Sequence, residues 1–169
     1  MDRLFIIMPA YNEEAVIREV VDAWYAIVEE HHGDGDSRLV VINDGSTDRT
    51  QEILDDMQEA RPLLHVINKA NGGHGDALLT GYRCAVENHA DYVFQTDSDG
   101  QTCPEEFEAF WRRREHFDLI IGNRKQRIEL HAGEDGVDHS VFGAAGVDIH
   151  AVHRNPGARG IEVFILQLA

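Results

Sequence analysis

The sequence predicts an α/β fold: one mostly parallel sheet covered by helices on both faces. Two observations predict it. Short apolar runs alternate strictly with stretches of helical periodicity, and each apolar run ends in a polar turn. Parallel strands need crossovers, and right-handed crossovers bring every strand-to-helix turn to one edge of the sheet.

Arg3 to Met8 is rich in Leu, Phe and Ile and reads as a buried strand, ended by Pro9-Ala10-Tyr11-Asn12. Asn12 is placed to cap the next helix, with Glu13 and Glu14 in its first turn. Val16, Ile17, Val20, Val21, Trp24, Ile27 and Val28 give that helix one apolar face. The paired histidines His31 and His32 fall in a Gly- and Asp-rich stretch and are expected in a solvated loop. Leu39 to Ile42 is the second strand, running into Asn43-Asp44-Gly45-Ser46-Thr47-Asp48, a turn with helix-start chemistry. Ile53, Leu54 and Met57 mark a helix that stops before Pro62. Leu63 to Ile67 is the third strand. Asn71-Gly72-Gly73-His74-Gly75-Asp76 then turns into a helix carrying Ala77, Leu78, Gly81, Tyr82, Ala85 and Val86. Asp91 to Gln95 is the fourth strand. Pro104 opens a helix where its missing N–H costs nothing, with Phe107, Phe110 and Trp111 as core contacts. Asp118 to Ile121 is the fifth strand, ending in Gly122-Asn123-Arg124. Five polar loops therefore converge at the carboxyl edge, where open α/β sheets bind ligands.

The chain has 169 residues, enough for a domain with a core, and no apolar run approaches a membrane span. Its N-terminus lacks the cationic start and cleavage site of a signal peptide. Two cysteines, Cys84 and Cys103, make no disulfide framework and suit a reducing cytoplasm. The formal net charge of −16 argues against general nucleic-acid binding. It also works against an anionic ligand. Two unit charges 4 Å apart repel by about 1 kcal/mol in water and by several times more near a protein surface. A diphosphate beside Asp97 and Asp99 needs a cation between them.

The stretch Gln95-Thr96-Asp97-Ser98-Asp99-Gly100-Gln101 follows a buried strand. Its two carboxylates and one amide oxygen are the donors that Mg²⁺ or Mn²⁺ takes, together with substrate phosphates. A plain Asp- and Gly-rich turn would carry the same residues. The glycine loop at Gly72, Gly73 and Gly75 is not a Walker A motif and not a dinucleotide fingerprint. Its glycines let backbone approach a ligand, and a structural turn is the rival reading.

Five segments together resemble the family 2 glycosyltransferases. They are Ile7-Met8-Pro9-Ala10-Tyr11-Asn12-Glu13-Glu14, Val41-Ile42-Asn43-Asp44-Gly45-Ser46-Thr47-Asp48, Asn71-Gly72-Gly73-His74-Gly75, Asp97-Ser98-Asp99-Gly100-Gln101 and Gly122-Asn123-Arg124. The branch resembled is that of the dolichyl- or polyprenyl-phosphate sugar transferases, on the pattern Asp97, Asp99, Gln101 and Pro104. The resemblance implies a GT-A, Rossmann-like nucleotide-diphospho-sugar transferase fold and inverting transfer from a UDP- or GDP-sugar to a lipid phosphate. It implies that Pro9, Tyr11 and Glu13 line the nucleoside, that Asp44 contacts base or ribose, and that Asn71 and Gly75 border the nucleotide. Asp97 and Ser98 would hold the sugar nucleotide. Asp97, Asp99 and Gln101 would ligate Mg²⁺ or Mn²⁺, and Arg124 would meet a phosphate. Asp97, Asp99 and Arg124 are the expected catalytic set. There are departures: Asn43 stands where the family usually has Asp, His74 where Lys is common, and Asp76 where a small residue is common. The last two make the glycine loop less cationic.

An alcohol acceptor would need a carboxylate base, and no motif here supplies one. A phosphate acceptor is already anionic. The expected arrangement is a catalytic domain over residues 1–127 and an atypical segment over 128–169. That segment is expected to be poorly ordered and acidic, with Ile161 to Leu168 as a final strand. His150 and His153, with Asp148 or Asp138, form a loose metal-ligand alternative. The loss of resemblance near Arg127 leads to the expectation that the chain is truncated or altered in reading frame relative to the family. The rival to a transferase is a donor-binding module lacking acceptor elements. A nucleotidyltransferase is disfavoured, because the early glycine-rich loop with following Arg and Lys is absent. The expected location is the cytoplasm, with peripheral contact at the inner face of the membrane, although no segment supplies an anchor.

Overall fold

The computed structural model describes residues 2–33, 36–124, 147–153 and 162–167. In chain order the elements are β1 (Leu4–Ala10), α1 (Ile17–Glu30), β2 (Arg38–Asp44), α2 (Thr50–Ala60), β3 (Leu64–Lys69), α3 (His74–Glu87) and β4 (Tyr92–Gln95). They continue with α4 (Phe107–Trp111), β5 (Phe117–Arg124), β6 (Val147–His153) and β7 (Glu162–Gln167). The strands form one sheet in the order β3-β2-β1-β4-β7-β5-β6. All neighbours run parallel except β5 and β6, which are antiparallel. This is the mostly parallel α/β sheet that the alternating pattern predicts. Among the described residues no helix is long and apolar enough to cross a membrane.

Both faces of the sheet are covered, and the alternation along β1 shows how. Leu4, Ile6 and Met8 pack on one face with Ile17, Val21, Trp24, Leu54, Met57, Phe107 and Phe110 from α1, α2 and α4. Phe5 and Ile7 pack on the other face with Val40, Ile42, Ala77 and Ala85, so α3 covers that side. Gly81 lets α3 settle there, because a Cβ would run into Ile7 Cγ2 and lie 2.8 Å from Ile42 Cδ1.

Two sequence expectations are corrected. Helix α1 begins at Ile17, and Asn12 does not cap it; the N–H groups of Val16 and Ile17 both reach Glu13 O instead. Asn12 adopts a left-handed φ of 56° and turns its amide toward the loop after β2. His31 is not solvated. Its Nε2 lies 2.7 Å from Glu108 Oε1, and its ring stands edge-on to Phe107 and Trp111, so it joins the end of α1 to α4. Residues 147–153 form strand β6. The side chains of Asp148, His150 and His153, and all of Asp138, lie outside what the structure describes. The expected final strand is present as β7, and it enters the sheet between β4 and β5.

One edge of the sheet is β3. The Val66 N–H donates to Gln58 Oε1 of α2 at 2.5 Å, and the Leu64 N–H donates to Arg61 O at 3.0 Å. Asn68 Nδ2 donates to Asp55 Oδ1 at 3.2 Å.

Replacing Gly81 by Val is expected to lower stability by about 2–3 kcal/mol, since overpacking against rigid β-branched neighbours outweighs any gain in helix propensity. A fall in the urea midpoint at unchanged slope checks this; an unchanged midpoint would show that α3 shifts outward freely.

Candidate functional site

The loops after β1, β2, β3 and β4 meet over a cleft of about 360 Å³ at the carboxyl edge of the sheet. Parallel register places them side by side. Ala10 pairs with Asn43, Asp44 with Lys69, and Ile7 with Gln95.

The wall formed by β2 and the glycine loop is built on Asp44. This carboxylate is 3% exposed. Its Oδ1 accepts from Lys69 Nζ at 2.5 Å and from the Gly72 N–H at 2.9 Å, and its Oδ2 accepts from the Gly73 N–H at 2.8 Å. Burial alone would push the Asp44 carboxyl up. The Lys69 ammonium and the two glycine N–H groups outweigh that and hold it below its usual range. Lys69 also reaches Asp76 Oδ2 at 2.7 Å, and the two carboxylates hold its ammonium above the usual lysine range. Gly73 has φ of 87°, which favours glycine, and it precedes the first turn of α3. Gly45, at φ of 70°, passes so close to the glycine loop that a Cβ would lie 2.5 Å from the Asn71 nitrogen.

The loops after β1 and β2 are tied to each other in both directions. The Asn12 N–H donates to Ser46 Oγ at 3.0 Å, and the Thr47 N–H donates to Asn12 Oδ1 at 2.8 Å. The Glu13 N–H donates to Thr50 Oγ1 at 2.8 Å, and the Arg49 N–H donates to Glu14 Oε2 at 2.9 Å. Asp48 accepts from the Glu14 N–H at 3.1 Å and the Thr50 N–H at 2.9 Å. These bonds hold Tyr11, 48% exposed, at the mouth of the cleft.

The opposite wall is acidic. Asp97, Ser98 and Asp99 line it where β4 ends, and Glu13 lines it from the β1 side. Burial, and then the charges of Asp99, Asp48 and Asp97, push the Glu13 carboxyl up. Glu13 therefore senses a local excess of negative charge in the cleft. Asp99 Oδ1 accepts from the Gln101 N–H at 2.9 Å, which shapes the turn.

Of the residues singled out from sequence, Pro9, Tyr11, Glu13, Asp44, Asn71, Asp97, Ser98 and Asp99 come together around this cleft. Gly75 and Gln101 are not among its lining residues. Gly75 sits exposed in the first turn of α3, and Gln101 is exposed beyond the turn. Arg124 ends β5, which is separated from β4 by β7, so the two strands lie roughly 10 Å apart. The Arg124 side chain is outside the described set. Sequence reasoning placed Gly73 and His74 in a ligand-facing loop, and both line the cleft; it missed Ala10 and Ala77 as lining residues, and it missed Lys69 altogether. The only sequence signal for Lys69 is its place at the end of an apolar run, five residues before His74.

The Asp44 carboxylate has its folded-state pKa below the unfolded value of about 3.9, so it stabilises the fold above that value and the contribution is lost as pH falls through the folded one. Asp44→Asn is expected to melt lower than the wild type at pH 7, with the difference closing in acid. Melting curves from pH 7 to pH 2 test this; a difference that stays constant would remove the charge from the argument.

Comparison with known proteins agrees with this architecture. A dolichyl-phosphate beta-glucosyltransferase of Trichomonas vaginalis is 30% identical over 166 residues, which cover 92% of this chain and 48% of that protein. A UDP-N-acetylglucosamine–dolichyl-phosphate N-acetylglucosaminyltransferase of Methanococcus voltae is 29% identical, covering 61% of this chain and 43% of that protein. An undecaprenyl-phosphate mannosyltransferase of Micrococcus luteus is 28% identical, covering 73% and 49%. The chain thus spans about half the length of the curated relatives it matches. The crystal structure of S. aureus TarS, residues 1–349, superposes with a TM-score of 0.57 at 25% identity, covering 77% of this chain and 39% of that one. The family model described as Glycosyl transferase family 2 matches residues 5–132, more than half of the sequence, and the chain belongs to that family.

Proposed function

We propose that this chain forms the donor-binding and catalytic half of an inverting glycosyltransferase that moves a sugar from a nucleoside-diphosphate sugar to a polyprenyl or dolichyl phosphate. The observation that carries the reading is the cleft itself. An Asp44-braced glycine loop faces an acidic wall of Asp97, Asp99 and Glu13 across one small volume. The names of the matched relatives, which include a UDP-sugar donor and dolichyl- and undecaprenyl-phosphate acceptors, support the substrate classes.

A divalent cation fits the residues present. Burial first, and then the charges of Asp99, Asp48 and Asp97, raise the Glu13 carboxyl, and the donors along this wall are hard oxygens suited to Mg²⁺ or Mn²⁺. Among the described residues no three His, Cys, Asp or Glu side chains close on one point. Such ions take one or two carboxylates and complete their shell with substrate phosphates. Asp97, Asp99 and Gln101 would hold it. When bound, the ion supplies charge neutralisation for the departing diphosphate.

The protein's own groups supply the rest. Tyr11 offers a flat, half-exposed ring to the nucleoside, and Pro9 stands beside it in the lining. Asp44 fixes the loop that borders the nucleotide. Asn71 and Ser98 line the same cleft, Gly75 is assigned to its border from the first turn of α3, and Arg124 is assigned to a phosphate. The acceptor phosphate brings its own negative charge to the anomeric carbon, so the attack requires no strong base. The proposed setting is the cytoplasmic face of a membrane, where such a lipid is presented. The second reading is donor binding without transfer; the chain's coverage of about half of its relatives keeps that reading open to assay.

Calorimetric titration of UDP and of GDP, each with and without Mn²⁺, tests the donor site. One nucleotide is expected to bind in a metal-dependent way, and Asp99→Ala should weaken it at least tenfold, about 1.4 kcal/mol. No binding of either nucleotide would overturn the proposal. Consumption of the matching sugar donor with a polyprenyl phosphate separates transfer from binding alone.

A further inference from the structure

The acidic turn closes on a buried pair of hydroxyls. Thr96 and Thr102 flank Asp97–Gln101, and they are 1% and 3% exposed. Their Oγ1 atoms are 2.8 Å apart, a hydrogen bond in which either can donate. Neither hydroxyl reaches the cleft lining. The Thr96 N–H is itself fixed to Ile7 O at 3.0 Å, so one end of the bond is anchored in β1, an interior strand of the sheet. Between the two threonines the chain reverses through Gly100, at φ of 74°, and through the Gln101 N–H bond to Asp99.

A five-residue loop carrying two carboxylates that repel each other tends to open. A hydrogen bond across its base, shielded from water, opposes that opening and fixes the spacing of Asp97 and Asp99. A buried hydroxyl that loses its partner is costly, so the pair resists separation. We infer that Thr96 and Thr102 are positioning residues which hold the Asp97–Asp99 turn in its ligand-binding geometry. The inference rests on the donor-site reading above. It assigns to these hydroxyls no contact with substrate or metal; they act through the turn.

The experiment is Mn²⁺ titration, in the presence of whichever of UDP or GDP the wild type binds, on the wild type, Thr102→Val, Thr102→Ser and Leu54→Val. Val keeps the shape and removes the hydroxyl, Ser keeps the hydroxyl, and Leu54→Val loosens the core away from the site. Thr102→Val is expected to weaken Mn²⁺ roughly tenfold, the scale of a lost supporting contact behind a metal ligand. Thr102→Ser and Leu54→Val should bind like the wild type. If Thr102→Val binds as tightly as the wild type, or Leu54→Val weakens equally, the positioning role is overturned. If Thr102→Val does not fold, Thr96→Val tests the same bond from its other end with the same two outcomes. A wild type that binds neither nucleotide with Mn²⁺ overturns the donor-site reading, and this inference with it.

Discussion

The organisation of the site depends on one buried charge. A carboxylate taken out of water is costly unless it is paired and hydrogen-bonded. Asp44 is placed at the end of β2, between β1 and β3, and three donors compensate it there. Two of those donors are backbone N–H groups of the glycine loop, so the loop cannot leave without stranding the charge. The third is Lys69, its register partner on β3. The compensation thus fixes three things together: the end of β2, the end of β3, and the entry into α3. Asp76 extends the pair into a short chain of alternating charges by taking the far side of Lys69. The cation beside this loop faces two acids of the same chain, Asp44 and Asp76.

The two walls of the cleft differ in how they are held. The β2 and glycine-loop wall is satisfied internally, charge against charge. The wall at Asp97 and Asp99 is satisfied by loop geometry, and its negative field reaches Glu13. The first wall has a cation of its own in Lys69, while the second adds negative charge that, after burial, helps raise the Glu13 carboxyl. This asymmetry links the folding of the sheet edge to the chemistry proposed for it.

Most of the fold was legible because strand and helix periodicity are local properties of the chain. The apolar runs of β1, β2 and β4 and the Asp-x-Asp turn could be read without knowing their neighbours. What failed was non-local. Asn12 has the chemistry of a cap, but the loop after β2 offered it better partners. His31 looks solvated beside glycines and acids until Phe107, Trp111 and Glu108 arrive from residues more than seventy positions away. Lys69 is an ordinary surface lysine in sequence; only the parallel register of β2 and β3 brings it to Asp44. β6 carries only a short apolar alternation, at Val147, Ile149 and Ala151, and the entry of β7 between β4 and β5 reverses the order that chain position suggests. Loop membership was easier to read than lining. Gly75, in the first turn of α3, and Gln101, after the acidic turn, are exposed beside the cleft without lining it.

The side chain of Gln58 bears on the company this protein keeps. Strand β3 ends the sheet, and an exposed strand edge is a template on which another chain can pair. Here α2 lays an amide oxygen on the Val66 N–H, and the preceding turn occupies the Leu64 N–H. Two of the donors that an incoming strand would use are already spent within the fold. The helix that packs one face of the sheet therefore also seals its margin, and self-association by strand addition is discouraged at that margin without any proline or bulge in β3.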